Sequence, residues 1–263
     1  MIDDLEVGGY WEANAEAWTQ LARAGYDISR DLINTPAFLA MLPGVTGLRG
    51  LDIGCGEGHN TRLLAQRGAA MTAVDISETF LRYASQSERQ QPLGIRYQRA
   101  SALALPFADR TFDFATSFMC MMDVPEPERA IREAYRVVKP GGFFQFSITH
   151  PCFQTPLWHW VHDEKGQRLG VVCGQYFDQQ DGRVVEWIFG TAPPELKQKF
   201  RNFRIPCFDR TLTEWMNTLL DAGFVLDRFC EPTVDDETLR RHPNLAGNRI
   251  VAYWLILRCR KPA

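Results

Sequence analysis

The 263-residue sequence lacks several features that would assign it to a specialised class of protein. No apolar run approaches the roughly 20 residues that a membrane-spanning helix needs. The acidic start, MIDDLEVGGY, contains no apolar signal core. Basic residues are not in excess either, because 29 lysines and arginines stand against 32 acidic residues. We therefore expect a cytoplasmic protein that has neither a membrane nor a nucleic acid as a partner.

Patterns typical of metal sites and disulfide frameworks are also missing. The seven cysteines are odd in number, and no two of them stand at C-x-x-C spacing. We expect free thiols and no metal site. Histidine is scarce, since the chain has only five. A search for a catalytic base therefore has few candidates.

What the sequence does contain is an alternation of strand-like and helix-like segments. Five predicted strands separated by helices or turns lie within residues 48–150, and two more follow residue 223. This order is typical of an α/β protein with a doubly wound, mostly parallel sheet. In such sheets ligands bind outside the carboxyl ends of the strands. We predict a seven-stranded sheet in which the carboxyl ends of the first five strands converge on one crevice.

The most informative stretch is LDIGCGEGHNTRLLAQRG, which covers residues 51–68 and places glycine at positions 54, 56 and 58. A turn without side chains lets a ligand approach the backbone closely. Asp75 ends the next predicted strand, about 20 residues on, where an acid can hold both hydroxyls of a ribose. The G-x-G-x-G spacing differs from the G-x-G-x-x-G of NAD and FAD sites. Carboxylates at Asp52 and Glu57 would repel a pyrophosphate but accommodate a sulfonium or ammonium cation.

Four segments resemble, in order, the motifs of class I S-adenosylmethionine-dependent methyltransferases, and in particular of small members that act on metabolites. They are LDIGCGEG, AVDIS, ASALALPFADRTFDFATS and REAYRVVKPGGFFQFSI. The resemblance is strong over residues 48–150 and weaker over 208–260. It implies a Rossmann-like methyltransferase fold in which the last strand runs antiparallel beside the fifth. It also implies methyl transfer from S-adenosylmethionine to an oxygen, nitrogen or carbon of a small molecule, giving S-adenosylhomocysteine.

With this resemblance the chain divides into four parts. Residues 1–47 form an N-terminal helical cap over the cofactor, and residues 48–150 form the cofactor-binding core. Residues 151–206 are an aromatic-rich insertion after the fifth strand, and residues 207–263 complete the core sheet. The insertion is either a lid over the acceptor pocket or a hairpin that covers a bare sheet face. Its segment RLGVVCGQYFDQQDGRVVEWIFG predicts a hairpin that turns at Asp181 and Gly182. We expect a monomer or a homodimer.

The resemblance further implies the residues that contact the cofactor. Asp52 faces the methionyl amino group, and Asp75 accepts hydrogen bonds from the ribose hydroxyls. Ser101 stands where the family often has an aspartate beside the adenine. From the cap, Tyr26 and Arg30 are candidates for covering the cofactor. The full predicted set is Asp52, Gly54, Cys55, Gly56, Asp75, Ile76, Ser101, Ala102, Ser117, Phe118, Tyr26 and Arg30.

Methyl transfer to oxygen or carbon usually needs a base, whereas a neutral amine needs only positioning. His150 follows the fifth predicted strand and is the first candidate for the base. Asp123 follows the fourth strand and is the second. The other interpretation of His150 is a structural hydrogen bond that holds the loop before Pro151.

Three other functions remain open at this stage. A tRNA or rRNA methyltransferase would need a basic stripe or an RNA-binding module, and neither is visible. A non-catalytic module that senses S-adenosylmethionine or its product is compatible with the same loop. A nicotinamide-dependent oxidoreductase is disfavoured by the loop spacing and by Asp52.

Overall fold

The structure is a computed structural model that describes residues 2–263. Its strands are β1 (Arg49–Ile53), β2 (Ala70–Asp75), β3 (Arg96–Arg99), β4 (Phe112–Phe118), β5 (Val138–Thr149), β6 (Leu157–His162), β7 (Arg168–Gly174), β8 (Arg183–Trp187), β9 (Phe203–Cys207), β10 (Val225–Cys230) and β11 (Trp254–Arg260). Its α-helices are α1 (Asp4–Arg23), α2 (Thr35–Met41), α3 (His59–Gln66), α4 (Glu78–Gln90), α5 (Pro127–Val137), α6 (Pro194–Lys199), α7 (Leu212–Asp221) and α8 (Asp236–Arg241). A π-helix spans Arg30–Asn34, and 3-10 helices span Met121–Asp123 and Pro243–Arg249.

Seven of the strands form one sheet in the order β10-β11-β5-β4-β1-β2-β3. The neighbours from β5 to β3 are parallel. β11 runs antiparallel to both β5 and β10. The predicted doubly wound, mostly parallel seven-stranded sheet is confirmed, and so is the antiparallel last strand beside the fifth. None of the helices in residues 2–263 has the length and apolarity that crossing a membrane requires.

The central strands are apolar on both faces because helices cover both sides of the sheet. On one side, α5 and α7 pack against strand residues such as Phe144 and Phe146. On the other side, α3 and α4 pack against Phe114 and Phe143. The first turn of α7 has the predicted capping box, in which Thr211 and Glu214 each accept a hydrogen bond from the other's backbone N–H.

The insertion folds differently from the predicted single hairpin. β7 pairs with β6, and β8 pairs with β9, so the two strands flanking Asp181 and Gly182 do not pair with each other. Gly182 does adopt a positive φ of 81°, as a turn glycine should. A turn is therefore present at this position, but β7 pairs with the preceding β6 and β8 pairs with the later β9.

An aromatic cluster joins the insertion to the N-terminal helix. The ring of Trp18, on α1, lies 5.4 Å from the ring of Trp187, 5.0 Å from that of Phe189 and 4.8 Å from that of Phe203. Edge-on contacts of this kind add to the stabilisation from burial alone. The side-chain amide of Asn14 also exchanges two hydrogen bonds with the backbone of Arg204 on β9. The cap and the insertion therefore pack against each other.

We predict that Trp18→Ala lowers the free energy of unfolding by about 3 kcal/mol, because it leaves a cavity between α1 and the insertion. Chemical denaturation followed by circular dichroism measures this change. Leu5→Ala is the matched control, since Leu5 lies on the same helix with 80% of its surface exposed. Equal stability of the two variants would contradict the proposed importance of the cluster.

Candidate functional site

A cavity of about 1120 Å³ opens at the carboxyl ends of the parallel strands. Its lining comes from the cap, the core, the insertion and the C-terminal residues. Pockets for one small molecule usually measure roughly 300–1,000 Å³. The cavity therefore has room for two ligands side by side. No cluster of three or more His, Cys, Asp or Glu side chains in residues 2–263 is arranged to hold a metal ion.

The glycine loop after β1 forms one wall of this cavity. Gly54 and Gly56 have positive φ angles of 71° and 55°, which side chains rarely tolerate. A Cβ atom at Gly54 would lie 2.3 Å from the sulfur of Cys120, so only glycine fits against the loop after β4. A Cβ atom at Gly56 would meet nothing within 4 Å, because this position borders open space. A ligand can therefore approach the backbone at Gly56.

Asp75 holds the same loop from the end of β2. Its Oδ2 accepts a hydrogen bond of 2.7 Å from the backbone N–H of Gly56, and its Oδ1 accepts one of 2.9 Å from that of Ser77. The residue is 8% exposed and lines the cavity. Burial raises the pKa of Asp75 to about 6. Carboxylate oxygens have further lone pairs, which ribose hydroxyls can use.

Asp52, at the end of β1, is 1% exposed and also contributes to the cavity lining. Its two carboxylate oxygens accept hydrogen bonds from the hydroxyls of Thr61 (2.5 Å) and Thr116 (2.8 Å). Burial raises the pKa of Asp52 to about 6. A buried carboxylate without a cation is costly, so an ammonium group in the cavity would be a favourable partner.

These groups fit the chemistry of S-adenosylmethionine. Carboxylates at Asp52 and Asp75 suit its amino group and its ribose hydroxyls, and the backbone at Gly56 is open to a ligand. Apolar side chains for an adenine ring line the same cavity, namely Ile76, Phe80, Ala102 and Phe118. Cys55, also predicted to contact the cofactor, is part of the lining.

Both predicted cap residues, Tyr26 and Arg30, line the cavity. Arg30 is already engaged with protein carboxylates. Its Nε lies 2.7 Å from Asp31, and its Nη1 lies 3.6 Å from Glu57 in the glycine loop. Arg23 on α1 makes a second contact of 2.9 Å with the same glutamate. Through Glu57, Arg30 therefore links the cap to the glycine loop.

Two predicted cofactor residues do not reach the cavity. The hydroxyl of Ser101 accepts a hydrogen bond of 3.0 Å from the backbone N–H of Leu103, which makes it a turn residue. Ser117 is wholly buried within β4. Their neighbours Ala102 and Phe118 line the cavity instead. The same strand ends therefore reach the cavity through these neighbours, whereas the side chains of Ser101 and Ser117 point elsewhere.

His150 also lies outside the cavity lining, a position that favours the structural interpretation over the expectation that it acts as the base. It is 4% exposed, and both ring nitrogens are engaged. Nδ1 accepts a hydrogen bond of 3.2 Å from the backbone N–H of Cys152, and Nε2 lies 2.9 Å from Oε1 of Glu231. The residues on either side, Thr149 and Pro151, line the cavity. Because side chains alternate at the end of a strand, His150 points the other way.

Asp123, the second candidate, has the geometry that His150 lacks. It ends the short helix after β4, is 6% exposed and lines the cavity. Within residues 2–263 its carboxyl has no hydrogen-bond partner and no ion pair, and burial raises its pKa well above the usual range. Cys120, three residues earlier, packs against Gly54. The carboxyl therefore opens to the cavity close to the glycine loop.

The far wall of the cavity was not identified residue by residue from the sequence. We define the acceptor wall as Asp123 together with the lining residues between 151 and 254. Its charged members are Asp123, Arg168, Arg183, Asp209 and Arg210. The aromatic content of the insertion was the only signal that pointed to this region.

Comparisons with known proteins agree with this geometry. A family model described as a methyltransferase domain matches residues 51–146. A malonyl-[acyl-carrier protein] O-methyltransferase of Pectobacterium atrosepticum is 36% identical over 138 residues, which is 52% of this chain and 53% of that protein. A ubiquinone biosynthesis O-methyltransferase of Coxiella burnetii is 32% identical over 160 residues, which is 60% of this chain and 67% of that protein. The matches thus span about half to two thirds of these relatives.

A solved structure extends the similarity to most of the chain. The S-adenosylmethionine-dependent methyltransferase from Mesorhizobium loti superposes with a TM-score of 0.71 at 28% identity. The match covers 86% of this chain and 96% of that one. It therefore includes residues outside the core that the family model matches.

We predict that Asp75→Asn weakens binding of S-adenosylhomocysteine roughly 10- to 100-fold, because charged hydrogen bonds to the ribose are lost. The new amide also sets its NH2 group against one of the two backbone donors, Gly56 or Ser77. Isothermal titration calorimetry measures the affinity.

Asp163→Asn is the matched control for that variant. Asp163 also accepts two backbone hydrogen bonds, from Lys165 and Gln167, but in a surface turn outside the cavity lining. The Asp163→Asn variant should bind S-adenosylhomocysteine as tightly as the unmodified chain does. Equal affinities for the Asp75 and Asp163 variants would place the ribose elsewhere.

Affinity for S-adenosylhomocysteine should also fall as the solution becomes acidic. Asp52 and Asp75 have pKa values of about 6, and both must be ionised to hold an ammonium group and ribose hydroxyls. Between about pH 7.5 and about pH 5.5 they take up protons, so binding should weaken several-fold. Asp52→Asn removes one of these protonations and should give a shallower dependence on pH. If the affinity of the Asp52→Asn variant changed with pH as steeply as that of the unmodified chain, Asp52 would not bind the amino group.

Proposed function

Because this chain belongs to the family of class I S-adenosylmethionine-dependent methyltransferases, we propose that it methylates a small molecule, with an oxygen as the first choice of acceptor atom. The single observation that carries the choice of acceptor atom is the carboxyl of Asp123, which is buried, has no partner among residues 2–263 and opens to the same cavity as the glycine loop. The two relatives described above are both named as O-methyltransferases, which supports the same choice.

S-adenosylmethionine, when bound, supplies a methyl group on a positively charged sulfur, an electrophile that needs no further activation. The chain's part is to position the reactants and exclude water. Asp52 would hold the amino group of the cofactor and Asp75 its ribose hydroxyls, and the glycine loop would let the cofactor approach the backbone. The cap and the insertion border the cavity from two further sides.

Asp123 then accepts the proton of the attacking hydroxyl group. A base works best when its pKa lies near the pH at which the enzyme operates. Burial moves the pKa of Asp123 upward, in the direction that this role requires. The same carboxyl has no evident role in a module that only senses the cofactor. For that reason we prefer catalysis to sensing.

The wider setting belongs to the same proposal. We propose that the protein acts in the cytoplasm, on a small molecule and without a nucleic-acid partner, as a monomer or homodimer. A net charge of −3 supports the absence of a nucleic-acid partner. The aromatic contacts between Trp18 and the insertion support a joint role for residues 1–47 and 151–206 as covers of the cavity.

We predict that Asp123→Asn lowers turnover roughly 100-fold with little change in cofactor affinity, since a base typically contributes about 10²- to 10⁴-fold. A screen of small hydroxylated compounds, read out as formation of S-adenosylhomocysteine, supplies the acceptor for this measurement. His150→Gln is the comparison variant and should retain most of the turnover while losing stability. A larger loss of turnover in the His150 variant than in the Asp123 variant would reverse the assignment.

A further inference from the structure

The charged groups of the cavity are divided unequally between its two sides. On the cofactor side carboxylates predominate, in keeping with a ligand that carries a net positive charge. The lining residues on that side are Asp4, Asp27, Asp52, Glu57 and Asp75, with Arg30 as the one arginine. The acceptor wall has the opposite character, because three arginines accompany two carboxyl groups.

The three arginines of the acceptor wall differ in how well they are neutralised. Arg210 is paired, at 2.5 Å with Asp181 and at 3.4 Å with Glu128. Arg183 has a single carboxylate neighbour, Asp209, at 3.6 Å, and its buried Nε has no hydrogen-bond partner. Arg168 is exposed to solvent and has no carboxylate within 4.0 Å among residues 2–263. Two cations of this wall are therefore incompletely paired.

The guanidinium group of Arg168 nevertheless stacks on an aromatic ring. Its guanidinium carbon lies 4.4 Å from the ring centroid of Trp160, which is the stacking arrangement that arginine favours. Trp160 in turn packs near Tyr253, at 6.4 Å between ring centroids, and Tyr253 lines the cavity. A guanidinium held over an aromatic ring without a counter-ion is suited to binding an anion.

Arg183 is connected by short backbone links to the turn that carries Asp123. It pairs with Cys207 in the β8–β9 register. The next residue, Phe208, donates a hydrogen bond of 3.2 Å from its backbone N–H to the carbonyl of Met122. The basic group and the proposed base are therefore neighbours on one wall.

We propose that the methyl acceptor is a small carboxylate, whose anionic group binds at Arg183 and is attracted by the exposed Arg168, while its nucleophilic end lies at Asp123. The inference rests on the proposed function and adds the charge of the acceptor to it. A single carboxylate matches the available charge better than a dianion, since Asp209 already neutralises part of Arg183. The aromatic residues Trp158, Trp187 and Tyr253 in the lining suit a flat, apolar middle section.

The test compares matched acids and amides. Hydroxybenzoate and hydroxycinnamate, each beside its own carboxamide, are titrated by calorimetry into protein saturated with S-adenosylhomocysteine. At least one acid should bind about tenfold or more tightly than its amide, as expected when a charged hydrogen bond is removed. Arg168→Gln and Arg183→Gln should each lose about tenfold in affinity for that acid and keep their affinity for S-adenosylhomocysteine.

Arg204→Gln is the control, because Arg204 lies on β9 of the same insertion but is exposed, pairs with Glu186 and is not part of the cavity lining. The inference is overturned if the amides bind as well as the acids, if no acid binds below about 10 mM, or if both arginine variants match the Arg204 control. The protein is first titrated with S-adenosylhomocysteine alone. Absence of binding in that titration would instead overturn the proposed function itself.

Discussion

The site depends on two carboxylates that are held out of water at the ends of adjacent strands. An ionised carboxyl in such a place is unfavourable unless hydrogen bonds satisfy it. Asp75 meets this need by binding the backbone N–H groups of Gly56 and Ser77, and Asp52 by binding the hydroxyls of Thr61 and Thr116. These bonds link β1, β2, β4 and α3. The hydrogen bonds that satisfy these two buried carboxylates thus also hold the glycine loop in place.

The cap is joined to this loop by charge and to the insertion by aromatic packing. Glu57, in the loop, lies 2.9 Å from Arg23 and 3.6 Å from Arg30. Glu12 of α1 accepts hydrogen bonds from Ser77 and Thr79 at the start of α4. On its opposite side, α1 presents Trp18 to the insertion. One helix therefore contacts both the glycine loop and the insertion.

The sequence predicted the core well because its signals are local. Strands buried on both faces read as apolar runs, and helices between them have regular apolar spacing, so the order of elements and the role of the glycine loop followed from short segments. The direction in which a side chain points at a strand end is harder to predict. His150 is one residue from two cavity-lining neighbours yet faces Glu231, and Ser101 turns back to its own loop. Because side chains alternate along a strand, a shift of one residue decides whether a side chain faces the cavity as a candidate base or makes a structural hydrogen bond on the other side.

The acceptor wall could not be derived in this way, because its composition depends on which strands of the insertion pair with each other. Arg183 meets Asp209 because β8 pairs with β9, and Arg168 meets Trp160 because β7 pairs with β6. Neither pairing is the local one that the Asp181–Gly182 turn suggested. The cofactor, whose contacts come from consecutive strand ends, can thus be inferred from the sequence alone. Only the folded insertion brings the groups of the acceptor wall together, so the chemistry of the proposed acceptor has to be derived from the charges and distances of that wall.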